Sequence, residues 1–377
     1  MRPAMKILIV QDYLRSGGTE RQSILLTRAF TDAGHPTTLL TFRPGGALSH
    51  LCDDLDVRSL QPVDLHLDWF CPGLSATVSR LHPDLILCMG RMANCFSGDL
   101  QIDHPDIPVI GTLRTGKPLP WLFRRSLGKV CHIVANSHEA RANLQHHHHV
   151  PAEKISVIYN SLVFPSEEYS PHVGGVPSPR APSASALRTA HGATPATTIL
   201  LNVAMFRPEK NQRELIHLAA GLPPGADWQL WLAGDGVARA ECEKLAARLN
   251  LTSRVRFLGF HRDPAHFYAA ADIAVHASSS ESLSNFLIES QAHGLPVVAY
   301  AAQGIGECFV PGRTGWVIPR DDRPAFLAAL APLFAATPAT RAQLAAEARA
   351  YARPTFDPGR QASAYLDLFT QLIRRTP

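Results

Sequence analysis

Short, almost purely apolar runs recur along this chain, with helix-like segments between them. The first series is KILIV (6–10), TTLLTF (37–42), DLILCMG (84–90), PVIGTL (108–113), HIVANS (132–137) and KISVIYNSL (154–162). Runs that are continuous rather than alternating belong to strands covered on both faces, as in a parallel sheet flanked by helices. The intervening ERQSILLTRAFTDAG has helical character and ends at Gly34, a residue able to take the left-handed conformation that closes helices. Strand–helix alternation of this kind implies a doubly wound α/β sheet.

The pattern breaks over PSEEYSPHVGGVPSPRAPSASALRTAHGATPA (165–196), where proline, serine, glycine and alanine dominate, with one short helix expected around Ala184–His191. It then restarts with TTILLNVA (197–204), WQLWLAG (228–234), VRFLGF (255–260), DIAVHAS (272–278), LPVVAY (295–300) and GWVIP (315–319). Helical segments lie between these, among them SNFLIESQAHG (284–294). The tail, about 358–374, places Tyr365, Leu368, Phe369 and Leu372 on one helical face. The division expected is an N-terminal Rossmann-like domain over 1–165, a linker over 166–196 and a second Rossmann-like domain over 197–356. A final helix over 357–377 is expected to return to the N-terminal domain. Two such domains would face a cleft, with ligands beyond the carboxyl ends of the strands.

Composition narrows the function classes. At 377 residues the chain suits two cores, and 46% apolar with 18% charged residues is a globular balance. The net charge of +4 fits phosphate-bearing small molecules or an anionic membrane surface and is too weak to argue for nucleic acid. Seven cysteines without a C-x-x-C pair read as reduced thiols of a cytosolic protein. No apolar run approaches the ~18 residues of a membrane span, and KILIV is too short for a signal-peptide core. The run HHHH (146–149) and the pair Asp54 and Asp56 are discounted as metal sites, because each lacks the structural context such a site needs.

Chemistry is concentrated in four stretches. In ESLSNFLIE (281–289), a polar loop carries Glu281, a helix begins at Ser284 or Asn285, and Glu289 lies about one turn inside it. Carboxylates accept hydrogen bonds from sugar hydroxyls, and a helix N-terminus offers free N–H groups to an anion. Two solvated glutamates are the alternative on spacing alone. In NVAMFRPEKNQRELI (202–216), Lys210 and Arg207 follow the first strand of the second domain and could neutralise a diphosphate. SGGTE (16–20) places Gly17 and Gly18 before a helix, where backbone can approach a ligand. GTLRTGK puts Arg114 after a strand. Trp121, Leu122, Phe123, Arg124 and Arg125 mix apolar and basic groups suited to a membrane surface or a lipid-linked acceptor. A half-buried helix with a solvated face is the alternative there.

Taken together, Ser278–Glu281, Glu289, Gly294–Pro296 and the glycines at 304, 306, 312 and 315 resemble the signature region of the retaining GT-B glycosyltransferases. The specific likeness is to the large glycosyltransferase family 4, or group 1, of sucrose synthases and bacterial mannosyltransferases. The resemblance implies a GT-B fold and transfer of a sugar from a nucleotide diphosphate sugar, UDP before GDP, to a saccharide or lipid-linked acceptor. It implies that Glu281 contacts the donor sugar, Glu289 the ribose, and the backbone of Leu283, Ser284 and Asn285 the sugar and phosphate. Lys210 fits the family lysine. The family arginine falls on Met205, and Arg207 is the candidate replacement, with an exposed loop charge as its alternative. Gly17 and Gly18 correspond to a family Gly-Gly-x-Glu near acceptor and donor phosphate. Arg114 stands near a position where many relatives carry a histidine, as a candidate for phosphate or acceptor. Ala233–Gly236 resembles a family loop near the nucleotide. No metal or other cofactor is implied, nor any nucleic-acid partner. The location implied is cytoplasmic, with a contact at the inner face of the plasma membrane left open. A nucleotide-sugar epimerase on the same fold and a non-catalytic glycan- or partner-binding protein remain as alternatives.

Overall fold

A computed structural model describes residues 3–162 and 183–375. The chain forms two compact units, Met1–Ser161 with Phe356–Pro377, and Leu162–Thr355. The part of the expected linker up to residue 182 lies outside the described residues. Beyond it, Ala184–Ala190 is the short helix anticipated there.

In the first unit the described strands are β1 (Ile7–Gln11), β2 (Thr37–Thr41), β3 (Asp56–Ser59), β4 (Leu85–Cys88), β5 (Val109–Leu113), β6 (His132–Ala135) and β7 (Ile155–Val157). They lie parallel in the order β3-β2-β1-β4-β5-β6-β7. Every residue of β1, β2, β4, β5 and β6 is buried, the polar Gln11, Thr37, Thr38, Thr41, Thr112 and His132 among the apolar majority. The edge strand β3, DVRS, is mostly exposed and went unread in the sequence because it has no buried face to leave a pattern.

The terminal helix Pro358–Arg375 belongs to this unit, as expected, and packs against the helix Gly18–Asp32. Tyr365, Leu368, Phe369 and Leu372 are all buried, with Phe30 edge-on to the rings of Tyr365 and Phe369. A buried polar knot fixes the register. Gln361 Nε2 donates to Gln22 Oε1 at 2.9 Å and to the Tyr159 carbonyl at 2.7 Å, while Ser161 Oγ donates to Gln361 Oε1 at 2.6 Å. Each polar atom named there has a partner, so burying the knot leaves none of its desolvation cost uncompensated.

In the second unit the described strands are β8 (Thr198–Val203), β9 (Trp228–Ala233), β10 (Val255–Gly259), β11 (Ile273–His276), β12 (Val297–Tyr300) and β13 (Gly315–Ile318). The order is β10-β9-β8-β11-β12-β13, again parallel. Helices Gln212–Ala220, Arg239–Arg248 and Arg323–Phe334 supply Leu215, Leu245, Phe326 and Leu330 to a core beneath the sheet. In both sheets the order reverses once, between β1 and β4 and between β8 and β11. Loops leaving neighbouring strands on either side of such a reversal diverge and leave a crevice at the carboxyl ends. No single helix among the described residues is long and apolar enough to cross a membrane.

Candidate functional site

Lys210 follows β8, and Glu281 follows β11, the strands that flank the reversal in the second sheet. Their side chains meet, with Lys210 Nζ 2.6 Å from Glu281 Oε1. Local structure makes this contact. Pro208–Lys210 forms one tight turn, closed by Asn211 in the left-handed conformation that asparagine tolerates. The serine-rich loop is clamped onto it, because Ser279 N and Ser278 Oγ both donate to the Glu209 carbonyl, at 2.8 and 3.0 Å. The segment before the turn is held as well, since Phe206 N donates to the Asp235 carbonyl at 2.8 Å.

Glu281 is only 9% exposed. Burial pushes its carboxyl up, but Lys210 and a hydrogen bond from His276 outweigh burial and hold its pKa at about 2. His276 is fully buried beneath it, with Nε2 3.1 Å from the same Oε1. With the carboxylate ionised, Nε2 carries the proton and donates, and Nδ1 has no hydrogen-bond partner among the described residues. One carboxylate oxygen thus takes both donors. Lys210 has three N–H donors, and the geometry commits one of them.

The helix Asn285–Ala292 starts after Ser284, whose side chain makes no capping bond. A side-chain acceptor at that position is the usual partner of the first N–H groups of a helix. Leu283 and Ser284 are buried, and Asn285 is half-buried. The glycine loop packs over this start. A Cβ on Gly304 would lie 1.8 Å from the Ser282 carbonyl oxygen, and its φ of +73° also requires glycine. Glu289 is half-buried one turn along the helix, where the Tyr268 hydroxyl donates to its Oε2.

Arg207 is exposed, with no side-chain partner among the described residues, and Met205 is half-buried. In the first unit, Gly17 caps the helix Gly18–Asp32 without a side-chain bond. Arg114 follows β5 and is held by Asn160 Oδ1 at 2.9 Å and by the Tyr365 hydroxyl at 3.5 Å. The structure brings Lys210, Glu281, Leu283, Ser284 and Asn285 to one region of the second unit, with Glu289 further along the helix. Gly17, Gly18 and Arg114 belong to the first unit. The helix Trp121–Leu127 buries Phe123 and Leu127 and leaves Trp121 exposed, with Arg125 over its ring. HHHH ends a helix, with His149 in the left-handed closing position, and no group of metal-ligating side chains is found among the described residues.

Three residues went unread in the sequence. His276 ends β11 and Tyr268 lies in the helix Ala265–Ala270, and neither belongs to a motif the sequence marks. Asp12, after β1, spans the reversal of the first sheet, accepting N–H bonds from Met92 and Ala93 at 3.0 and 2.7 Å. Burial dominates there and raises its pKa to about 6, against the lowering by those two bonds. The only sequence signal for Asp12 was a carboxylate directly after a continuous apolar strand.

Residues 185–351 match the model of glycosyl transferases group 1, and residues 16–162 that of glycosyltransferase family 4. Among curated relatives, the lipopolysaccharide core biosynthesis glycosyltransferase LpsE of Rhizobium meliloti is 36% identical over 143 residues, 38% of this chain and 41% of LpsE. The D-inositol 3-phosphate glycosyltransferase of Streptomyces scabiei is 28% identical over 263 residues, 63% of this chain and 53% of the relative. The matched stretches thus span about half or less of those relatives. Among solved structures, HepE of Anabaena in complex with UDP aligns with a TM-score of 0.81 at 22% identity, covering 97% of this chain and all of HepE. The sucrose-phosphate synthase of Thermosynechococcus elongatus aligns at 0.76 and 20%, covering 98% and 100%. Such likenesses establish the fold, which is GT-B.

Proposed function

Because the chain belongs to the group 1 glycosyltransferases, glycosyltransferase family 4, we propose that it is a retaining, metal-independent transferase. It moves a sugar from a UDP-sugar to a saccharide or lipid-linked saccharide acceptor. The observation that carries this reading is the Lys210–Glu281 pair at the reversal of the second sheet, beside a helix start without a side-chain cap. HepE is solved with UDP-glucose, which supports UDP as the nucleotide, and LpsE acts in lipopolysaccharide core biosynthesis, which supports a glycan acceptor.

In this reading the bond from the sugar's anomeric carbon to the diphosphate breaks and the bond to the acceptor oxygen forms on the same face. The acceptor proton passes to the departing phosphate. The uncommitted donors of Lys210, the N–H groups at Ser284–Asn285 and the exposed Arg207 stabilise the charge developing on that phosphate. Glu281, held ionised and fixed by Lys210 and His276, accepts from a sugar hydroxyl, and Glu289 from the ribose. Gly17 and Gly18 serve the donor phosphate, and Arg114 the acceptor or the phosphate. Met205, at the family arginine's position, favours a second reading, a nucleotide-binding protein without transferase activity. Incubation with a panel of nucleotide sugars and saccharide acceptors separates the two. Release of UDP with formation of a glycoside supports transfer. Binding of UDP without cleavage of any donor supports the second reading, and no nucleotide binding overturns both.

A further inference from the structure

A half-open cavity of about 530 Å³ lies in the second unit at the amino ends of β11 and β12, the edge of the sheet opposite Lys210 and Glu281. That volume falls within the usual range for small-molecule sites, about 300–1,000 Å³. Its walls are mixed: Leu295, Leu333 and Leu344 give it an apolar side, while Arg341, Arg349 and Arg353 stand along it from one helix, Pro338–Thr355.

The three arginines are not equivalent. Arg341 is 3.1 Å from Asp272, a carboxylate it shares with Arg188 at 3.2 Å, so its charge is answered within the fold. Arg349 donates to the His293 carbonyl at 2.9 Å, at the C-terminus of the helix Asn285–Ala292, and is otherwise exposed. Arg353, one helical turn further on, is exposed and has no side-chain partner among the described residues. Two guanidinium groups one turn apart, neither paired with a carboxylate among the described residues, therefore flank a hollow with an apolar side.

Its walls are held in place. Tyr268 stacks on His293 with ring centroids 4.9 Å apart, and its hydroxyl is tied to Glu289. Gly294 lets the arginine helix approach closely, since a Cβ there would lie 2.9 Å from both Ala345 Cβ and Arg349 Cζ. Preformed concavities that combine apolar surface with a few fixed polar groups are the general form of small-molecule sites. Paired guanidinium groups match phosphate geometry in particular.

We propose that this cavity is a second ligand site, for an organic phosphate whose apolar body fills the hollow and whose phosphate is held by Arg349 and Arg353. Such a ligand is either a soluble phosphate ester or the headgroup and first carbons of an anionic lipid. The site does not depend on the donor reading, because it lies at the amino ends of β11 and β12, whereas Lys210 and Glu281 follow the carboxyl ends of β8 and β11.

The test uses the full chain with 1-naphthyl phosphate as a soluble probe, inorganic phosphate as the anion alone and 1-naphthol as the body alone. Flotation with phosphatidylcholine vesicles, with and without phosphatidic acid, supplies the lipid arm. The expected result is saturable naphthyl phosphate binding, with either half alone at least about tenfold weaker. Arg353→Gln should weaken it about tenfold, as expected for a lost charge-assisted hydrogen bond, and Arg353→Glu more, with unchanged melting temperature in the absence of probe. Flotation that needs both phosphatidic acid and Arg353 assigns the site to a lipid, and probe binding without flotation to a soluble ester. Equal binding by wild type and Arg353→Gln, equal binding of inorganic phosphate, or no binding in either arm overturns the proposal.

Discussion

Lys210 and Glu281 are separated by 71 residues in sequence and by 2.6 Å in space. Their contact exists because β8 and β11 are neighbours in the sheet although β9 and β10 intervene in the chain. Removing one partner leaves the other charge uncompensated. Lys210→Met is therefore expected to lower unfolding stability by about 3 kcal/mol and transfer by about a hundredfold or more. Lys210→Met combined with Glu281→Gln should regain much of the stability and none of the transfer. Denaturant unfolding and transfer assays on the single and double variants check this, and a double variant as unstable as Lys210→Met would contradict it.

His276 sets the carboxylate from below. Its replacement by phenylalanine removes a donor to Glu281, so the Glu281 pKa should rise from about 2. The sign follows from the depressed folded value. The stability Glu281 contributes is complete above its ordinary 4.5 and is lost as pH falls toward 2. In His276→Phe the contribution should be smaller and its loss complete at a higher pH, with transfer reduced about tenfold. Acid unfolding curves that coincide with wild type would remove His276 from this role.

Asp12 carries the opposite sign. Its folded pKa of about 6 lies above the ordinary 3.8, so its contribution is greatest below about 3.8 and falls as pH rises through 6. Asp12→Asn removes the ionisable group and keeps one carbonyl acceptor for the Ala93 N–H, while its amide nitrogen, a donor, replaces the oxygen that faces the Met92 N–H. It should flatten the stability profile between about pH 4 and 6, whereas Asp12→Ala should cost about 1–3 kcal/mol at every pH by stranding two buried donors. Melting temperatures across that range distinguish the two.

Gly304→Ala adds a methyl group where the Ser282 carbonyl already stands, at a positive φ. The loop before the helix start must shift. Nucleotide affinity should fall about tenfold or more while the fold persists, measured by calorimetric titration beside circular dichroism. Unchanged affinity would mean that the helix start does not meet the ligand.

Much of this was legible in the sequence for one physical reason. A parallel strand covered on both faces is largely apolar, so ILIV, LILC and VVAY stood out directly, whereas TTLLT is buried as fully with three threonines. The polar edge strand Asp56–Ser59 obeys no such constraint and left no mark. Glu281 and Lys210 could each be singled out by residue type and neighbourhood, but their pairing depends on strand order, which local pattern does not encode. Tyr268 reaches Glu289 across a strand, and His276 reaches Glu281 across a loop, so neither pairing shows in the local sequence.

The central claim is that the loop and helix after β11 hold a nucleotide sugar, with Glu289 on the ribose and Glu281 on the sugar. It is tested most directly by measuring UDP affinity and UDP-sugar turnover side by side for wild type, Glu289→Ala and Glu281→Ala. The account predicts that Glu289→Ala loses UDP affinity, while Glu281→Ala keeps UDP affinity and loses turnover. Full turnover in Glu281→Ala, or undiminished UDP affinity in Glu289→Ala, would contradict it.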